Sequence, residues 1–334
     1  RQPPWLHLGS GWRLQRRQSC AQARLCRQGA APFAHRRCRA HPPVGLACAQ
    51  RRDAADRQRA QHGLALDFLK AGLLDRAEDA LRKLEGSAYE GQARLARLSI
   101  YERSREWPEA ARVARLLESS GEANFDIRMA HYQCEQAREV FQKGDAAQAM
   151  KILEAALQKS PDAARPRILL GQLQLSQGLA QQAFETLAVL FQRADKSAPL
   201  AAPSLAKAAQ AASLEKSAIH MLETHYKTQP GIDVLEAITS LEDSLHLTPS
   251  ISHQRYLDHL NRQASLMAAS RWLTQESSES HPLPVPVRQA LEQAVRPLAR
   301  YRCAACGFEA KEHFWHCPGC QAWDSYPPRR IEEL

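Results

Sequence analysis

The 334-residue sequence has no run of about 18 apolar residues, the length a membrane-crossing helix requires. No stretch of it is expected to span a bilayer. Its start has neither the basic head nor the apolar core of a secretory signal. No phosphate-cradling loop, paired-carboxylate motif or nucleophile–base constellation appears, so the sequence does not read as an enzyme. His131, His220, His225 and His246 stand singly on helical stretches, where packing or solvation is the expected role.

The first 62 residues lack Lys, Glu, Ile, Met, Asn, Thr and Tyr altogether. They carry 13 Arg against Asp53 and Asp56, a net +11, which leaves −2 for the rest (32 basic and 34 acidic residues). The overall +9 therefore comes from the first fifth of the chain. Cys20, Cys26, Cys38 and Cys48 fall there without a metal-knuckle spacing. One reading is a basic arm that binds nucleic acid or anionic lipid. The other is GC-rich DNA read in the wrong frame. A selected basic arm usually mixes Lys with Arg and seldom scatters unpaired Cys, which favours the second. Residues 1–55 are accordingly expected to be disordered or to form only marginal helices.

From about Asp56 the texture changes. Leu64 to Ala71 reads as a helix closed by Gly72, and Leu73 to Leu81 as its partner. The theme of short helix, turn and small residue returns around Trp107, Asp145 and Leu179. Its anchor alanines, Ala77, Ala110, Ala149 and Ala183, lie 33, 39 and 34 residues apart. Five residues before three of them stand Gly72, Gly144 and Gly178, which suit a left-handed turn. Arg105 replaces the glycine in the second unit, and the long interval implies an insertion near Ser119-Ser120-Gly121. Phe68 and Tyr101, nine before their anchors, are expected to pack across them; Val140 and Gln174 fill that place elsewhere. Pro161 and Pro230, twelve after Ala149 and Ala218, separate units and hint at a fifth. The spacing resembles tetratricopeptide repeats, over residues 56–275, with an ordinary helical bundle as the alternative. The fold class is thus all-α, a superhelix of hairpins with a concave face that binds proteins.

Residues 196–213 are expected to be helical after Pro199 and Pro203, and 230–275 helical in weaker register. The polar, Pro-rich stretch 276–286 reads as an exposed linker. Residues 287–300 read as a connecting helix to a small domain over 301–334.

That last domain carries the strongest signal. Cys303, Cys306, Cys317 and Cys320 form two Cys-x-x-Cys knuckles ten residues apart, a spacing suited to four thiolates around one tetrahedral metal ion. Two disulfides are the alternative. Gly307 and Gly319 are expected to supply the permissive backbone of each knuckle. Zinc and iron both suit tetrahedral sulfur; iron would permit electron transfer, zinc would be structural. His313 and His316 flank the third cysteine and are assigned to the surface, because four cysteines complete the tetrahedron. Lone Cys134 is expected to be a buried apolar residue. Six of the chain's 21 aromatic residues crowd this tail: Tyr301, Phe308, Phe314, Trp315, Trp323 and Tyr326. So small a domain cannot bury them all, so some should dock on the last hairpins of the array. Four tail cations, Arg302, Lys311, Arg329 and Arg330, face five acids, which argues against a nucleic-acid reader.

The array followed by Tyr301-Arg302-Cys303, Cys306-Gly307-Phe308 and Phe314-Trp315-His316-Cys317-Pro318 resembles the lipopolysaccharide assembly protein B family. Ala71-Gly72-Leu73-Leu74-Asp75-Arg76-Ala77-Glu78-Asp79 is similar to it as well. The resemblance runs from about Asp56 to Leu334. It implies tetratricopeptide repeats with a C-terminal rubredoxin-like domain and metal ligands at Cys303, Cys306, Cys317 and Cys320. It further implies a non-enzymatic adaptor on the cytoplasmic side of the bacterial inner membrane. Such an adaptor brings the lipid A deacetylase LpxC to the membrane AAA protease FtsH and works with other lipopolysaccharide assembly proteins. The family is held by an N-terminal membrane helix, which the Arg-rich segment replaces here, so this chain is expected to meet the membrane only through a helix it lacks. A generic interaction scaffold and a rubredoxin-type electron carrier are the competing readings.

Overall fold

The computed structural model describes residues 44–121, 124–246, 248–276 and 283–334. The readings of residues 1–43 and of linker residues 277–282 lie outside the described residues. Fourteen α-helices occur among those described: α1 Val44–Lys70, α2 Leu74–Arg82, α3 Glu90–Ser104, α4 Trp107–Ser119, α5 Asp126–Gln142, α6 Ala146–Lys159, α7 Ala164–Ser176, α8 Ala180–Gln192, α9 Ala198–Ala212, α10 Glu215–Thr228, α11 Ile232–Ser244, α12 Pro249–Arg262, α13 Leu266–Glu276 and α14 Val285–Leu298. A two-stranded antiparallel ribbon (β1 Tyr301–Arg302, β2 Glu309–Ala310) and a short 3₁₀ turn, Ile331–Glu333, complete the chain. No helix among the described residues is long and apolar enough to cross a membrane.

The helices pair in sequence order as hairpins: α1 with α2, α3 with α4, α5 with α6, α7 with α8, and α9 with α10 and α11. Each pairing turns on an alanine. Ala77, Ala110, Ala149 and Ala183 are all fully buried, and Ala218 is buried in the fifth unit. A methyl group is the largest side chain that lets two helix backbones approach there. Five residues before each anchor the backbone is left-handed: Gly72 (φ 75°), Arg105 (61°), Gly144 (94°), Gly178 (78°) and Ser213 (57°). The turn geometry persists where glycine is absent, because the hairpin needs it; Arg105 and Ser213 carry the steric cost of a Cβ in that region. Ser213 establishes the fifth repeat. Tyr101 packs across its unit, as expected. Phe68 and Val140 pack half-buried at the same place in theirs.

Three helix starts differ from the sequence reading. Helix α9 begins before its prolines: Pro199 sits in the first turn, where its missing N–H has no helical partner to lose, and Pro203 lies inside the helix. Helix α14 likewise begins at Val285, with Pro286 in its first turn. The Pro-rich break therefore ends at Pro284. Helix α1 begins inside the Arg-rich stretch, at Val44.

Candidate metal centre

Two near-identical turns build the site. In the first, Cys303 N–H donates to Phe308 O, and Gly307 N–H donates back to Cys303 O, both at 2.9 Å. In the second, Cys317 N–H donates to Ala322 O, and Gln321 N–H to Cys317 O, again at 2.9 Å. The residue four after the leading cysteine must be left-handed in each: Gly307 at φ 79° and Gln321 at 62°. Gly319, expected to fill this role, does not. It is small for another reason: a Cβ there would come within 3.3 Å of the Phe308 ring. β1 and β2 flank the first knuckle, with Arg302 paired to Glu309 across the ribbon at 2.9 Å.

The turns bring together all four predicted cysteines. Their sulfurs lie within 4.8 Å of one another. Cys303 and Cys320 are 3.8 Å apart, and Cys306 and Cys317 3.7 Å. These distances are far beyond a disulfide bond. They match the edge of a tetrahedron, about 3.8 Å, drawn by sulfurs about 2.3 Å from a central ion. Cys303 and Cys317 are buried, Cys306 and Cys320 exposed. Burial opposes the Cys303 thiolate, but the Ser325 hydroxyl and the N–H groups of Cys306 and Ala305 bring its pKa down to about 6. Cys320 is pushed up to about 12 by burial and by the neighbouring thiols. The donor set and spacing are therefore compatible with one metal ion.

The domain docks against the array over far more than its last hairpins. The indole of Trp323 stacks on His131 of α5 at 4.9 Å and meets Trp107 and Tyr132 edge-on at 6.4 and 5.9 Å. Its N–H donates to Glu102 of α3 at 3.1 Å, and Tyr132 donates to the same carboxylate. His131 Nε2 donates to Asp324 at 2.9 Å. Burial lowers the pKa of His131 despite Asp324, which keeps the ring neutral near pH 7. Trp315 packs against the core of the middle repeats. At the far end Arg330 forms a two-pronged pair with Asp233 of α11, with 2.8 Å the shortest contact, and lies 4.3 Å over the Tyr301 ring.

The 3₁₀ turn supplies two caps. Glu333 accepts from Ile232 N at 2.7 Å, at the start of α11. Glu332 accepts from Ser265 Oγ (2.8 Å), Leu266 N and Met267 N (3.1 Å), at the start of α13. The start of α11 has no cap from its own N-cap residue, and at α13 Ser265 Oγ accepts only from Ala268 N (2.9 Å), so the carboxylates satisfy the remaining orphan N–H groups and meet the positive ends of the helix dipoles.

His313 and His316 are half-buried among aromatic rings instead of freely exposed. His313 Nε2 bonds Tyr326 O at 3.0 Å between the rings of Tyr301, Trp315 and Tyr326. His316 stacks on Trp323 at 4.3 Å and bonds Gln321 O at 3.0 Å. Packing, not ligation, explains both. Sequence reasoning missed Glu102, Asp233, Arg330, Glu332 and Glu333, whose partners are far away in the chain. Cys134 is fully buried, as expected.

Fold and site together define a tetratricopeptide-type array with a four-cysteine ribbon domain seated against it. A profile of the rubredoxin metal binding domain matches residues 301–327, and one of the tetratricopeptide repeat matches 140–213. The chain resembles lipopolysaccharide assembly protein B across most of its length. The protein of that name from Escherichia coli (strain K12) is 27% identical over 286 residues, 80% of this chain and 70% of its own. That from Haemophilus influenzae (strain Rd) is 23% identical over 281 residues, 82% of this chain and 70% of its own. Among solved structures, a tetratricopeptide repeat protein from Parabacteroides merdae aligns with TM-score 0.36 at 13% identity, over 72% of this chain and 98% of that one.

Proposed function

We propose that this chain is a non-enzymatic adaptor in lipopolysaccharide assembly, acting on the cytoplasmic side of the bacterial inner membrane. In this reading it brings the lipid A deacetylase LpxC to the membrane protease FtsH and so limits lipopolysaccharide output. The array, residues 56–275, recognises the protein partners. Cys303, Cys306, Cys317 and Cys320 in the domain over 301–334 hold one zinc or iron ion. The metal's work is structural: it closes the two knuckles and so presents Trp323 and Asp324 to the array.

One observation carries this reading. The ribbon domain touches α3, α5, α11 and α13, so a unit of about 30 residues fixes the relative position of hairpins that otherwise meet only their sequence neighbours. A partner-binding face that must hold one curvature gains from such a brace. The fold of the array and the names of the relatives support a protein-binding role.

The experiment is affinity recovery of LpxC and FtsH from cells by the intact chain and by Cys317→Ser. Recovery of both by the intact chain and of neither by the variant is expected. Equal recovery by both forms overturns a brace-dependent adaptor. If the site serves electron transfer instead, purified protein will show the visible absorption of ferric tetrathiolate and will cycle reversibly between two iron states.

A further inference from the structure

A cavity of about 310 Å³ lies where the ribbon domain meets the array, between the starts of α7 and α9 on one side and Trp315 and Tyr326 on the other. Arg165 lines it and is 4% exposed. Its Nη2 donates to Glu135, yet its Nε and Nη1 have no partner. A buried guanidinium with idle donors is costly unless something accepts from them. The start of α7 is equally bare: its N-cap is Ala163, no acidic residue stands in its first turn, and the N–H groups of Ala164 and Arg165 have no acceptor among the described residues. Lys196, at the rim, is exposed and has no ion-pair partner among the described residues.

The acids around the cavity are already engaged. Glu135 pairs with Arg165, Asp324 accepts from His131, Asp162 pairs with Arg193, and Asp195 accepts from Ser197 N. What remains uncommitted is two donors of the buried Arg165 guanidinium, an ammonium and a helix start, which favour negative charge, beside the unpartnered Nδ1 atoms of His131 and His313. We propose that this cavity is an oxyanion site that takes a carboxylate or phosphate group. Arg165, Lys196 and the first N–H groups of α7 hold the anion, and Trp315 and Tyr326 wall the rest of the ligand. Because the walls belong to the ribbon domain and the donors to the array, the ligand bridges the two. The site does not depend on the adaptor reading.

The test titrates inorganic phosphate and, separately, N-acetylaspartate into the metal-loaded full chain at fixed ionic strength set with chloride. Tryptophan fluorescence and the thermal midpoint are followed. A saturable change with at least one probe is expected, with affinity about tenfold weaker in Lys196→Gln and weaker still in Arg165→Gln, as loss of a charge-assisted contact implies. Lys151→Gln, on the exposed face of α6, should bind as the parent does. Tighter binding of phosphate assigns a phosphate monoester, and of N-acetylaspartate an acidic peptide. Failure of both probes to saturate, or unchanged affinity in both variants, overturns the site. Should Arg165→Gln not fold, Lys196→Gln alone decides.

Discussion

The indole N–H of Trp323 donates to the carboxylate of Glu102 at 3.1 Å across 221 positions of the chain. Trp323 lies three positions after the ligand-type residue Cys320, and Glu102 lies on α3, in the second hairpin. The geometry of the cysteine cluster is thereby tied to the early repeats. Removing the indole should release the ribbon domain. Trp323→Ala is expected to cost about 3 kcal/mol, the lower part of the range for truncating a packed tryptophan, because this ring is only half-buried. Urea unfolding measures the loss, and limited proteolysis should show earlier cleavage after residue 300.

The C-terminal turn should act as a double cap. Glu332→Ala and Glu333→Ala each remove a carboxylate from the start of a helix, α13 and α11 respectively. Each is expected to destabilise by about 1–2 kcal/mol, the usual worth of a charged cap bond. Hydrogen exchange should quicken at Leu266 and Met267 in the first variant and at Ile232 in the second. Unchanged protection would contradict the capping role.

The left-handed turns make a prediction of opposite sign. Arg105→Gly and Ser213→Gly replace side chains held at φ 61° and 57° and should each stabilise by about 0.5 kcal/mol. Gly144→Ala, at φ 94°, should destabilise by about 1 kcal/mol. Thermal melts of the three variants test the sign at each position.

Acid should weaken the fold by charging its buried histidines. Burial lowers the pKa of His131, His225 and His259 below the usual 6.5. The unfolded chain then binds more protons than the folded one as pH falls through 6.5, so stability is full above that value and declines below it. His225 has no hydrogen-bond partner on either ring nitrogen and packs edge-on against Phe191 at 5.3 Å. His225→Leu should flatten the pH dependence of unfolding between about pH 6.5 and 5. A slope identical to the parent's would contradict a buried neutral ring.

Much of this structure is legible in the sequence because its signals are local. Two Cys-x-x-Cys knuckles declare themselves by spacing, and alanines with turn residues five positions earlier declare the repeats. The period also points to the turn at Ser213, five residues before Ala218, the anchor position of the fifth unit. The docking is a different matter. Glu102, His131 and Asp233 read as ordinary polar helix residues, and nothing nearby in the chain says what they face. The expected docking of the aromatic tail on the last hairpins holds for Tyr301, which reaches Asp233 of α11, but its extension to the second and third hairpins through Trp323 and Asp324 was not foreseen. Gly319 misled because glycine serves close approach as often as it serves a left-handed turn. His313 and His316 looked exposed because their spacing beside Cys317 does not show that Tyr301, Trp315, Trp323 and Tyr326 of the same domain pack against them.

The measurement that bears most directly on this picture is the metal content of purified intact chain beside Cys317→Ser, read with tryptophan fluorescence. One zinc or iron ion per intact chain is expected, with loss of both the ion and the buried-tryptophan signal in the variant, since a structural ion of this kind supplies about 10 kcal/mol or more of folding energy. An intact chain without stoichiometric metal, or a metal-free variant whose tryptophans stay buried, would contradict a metal-closed domain that braces the array.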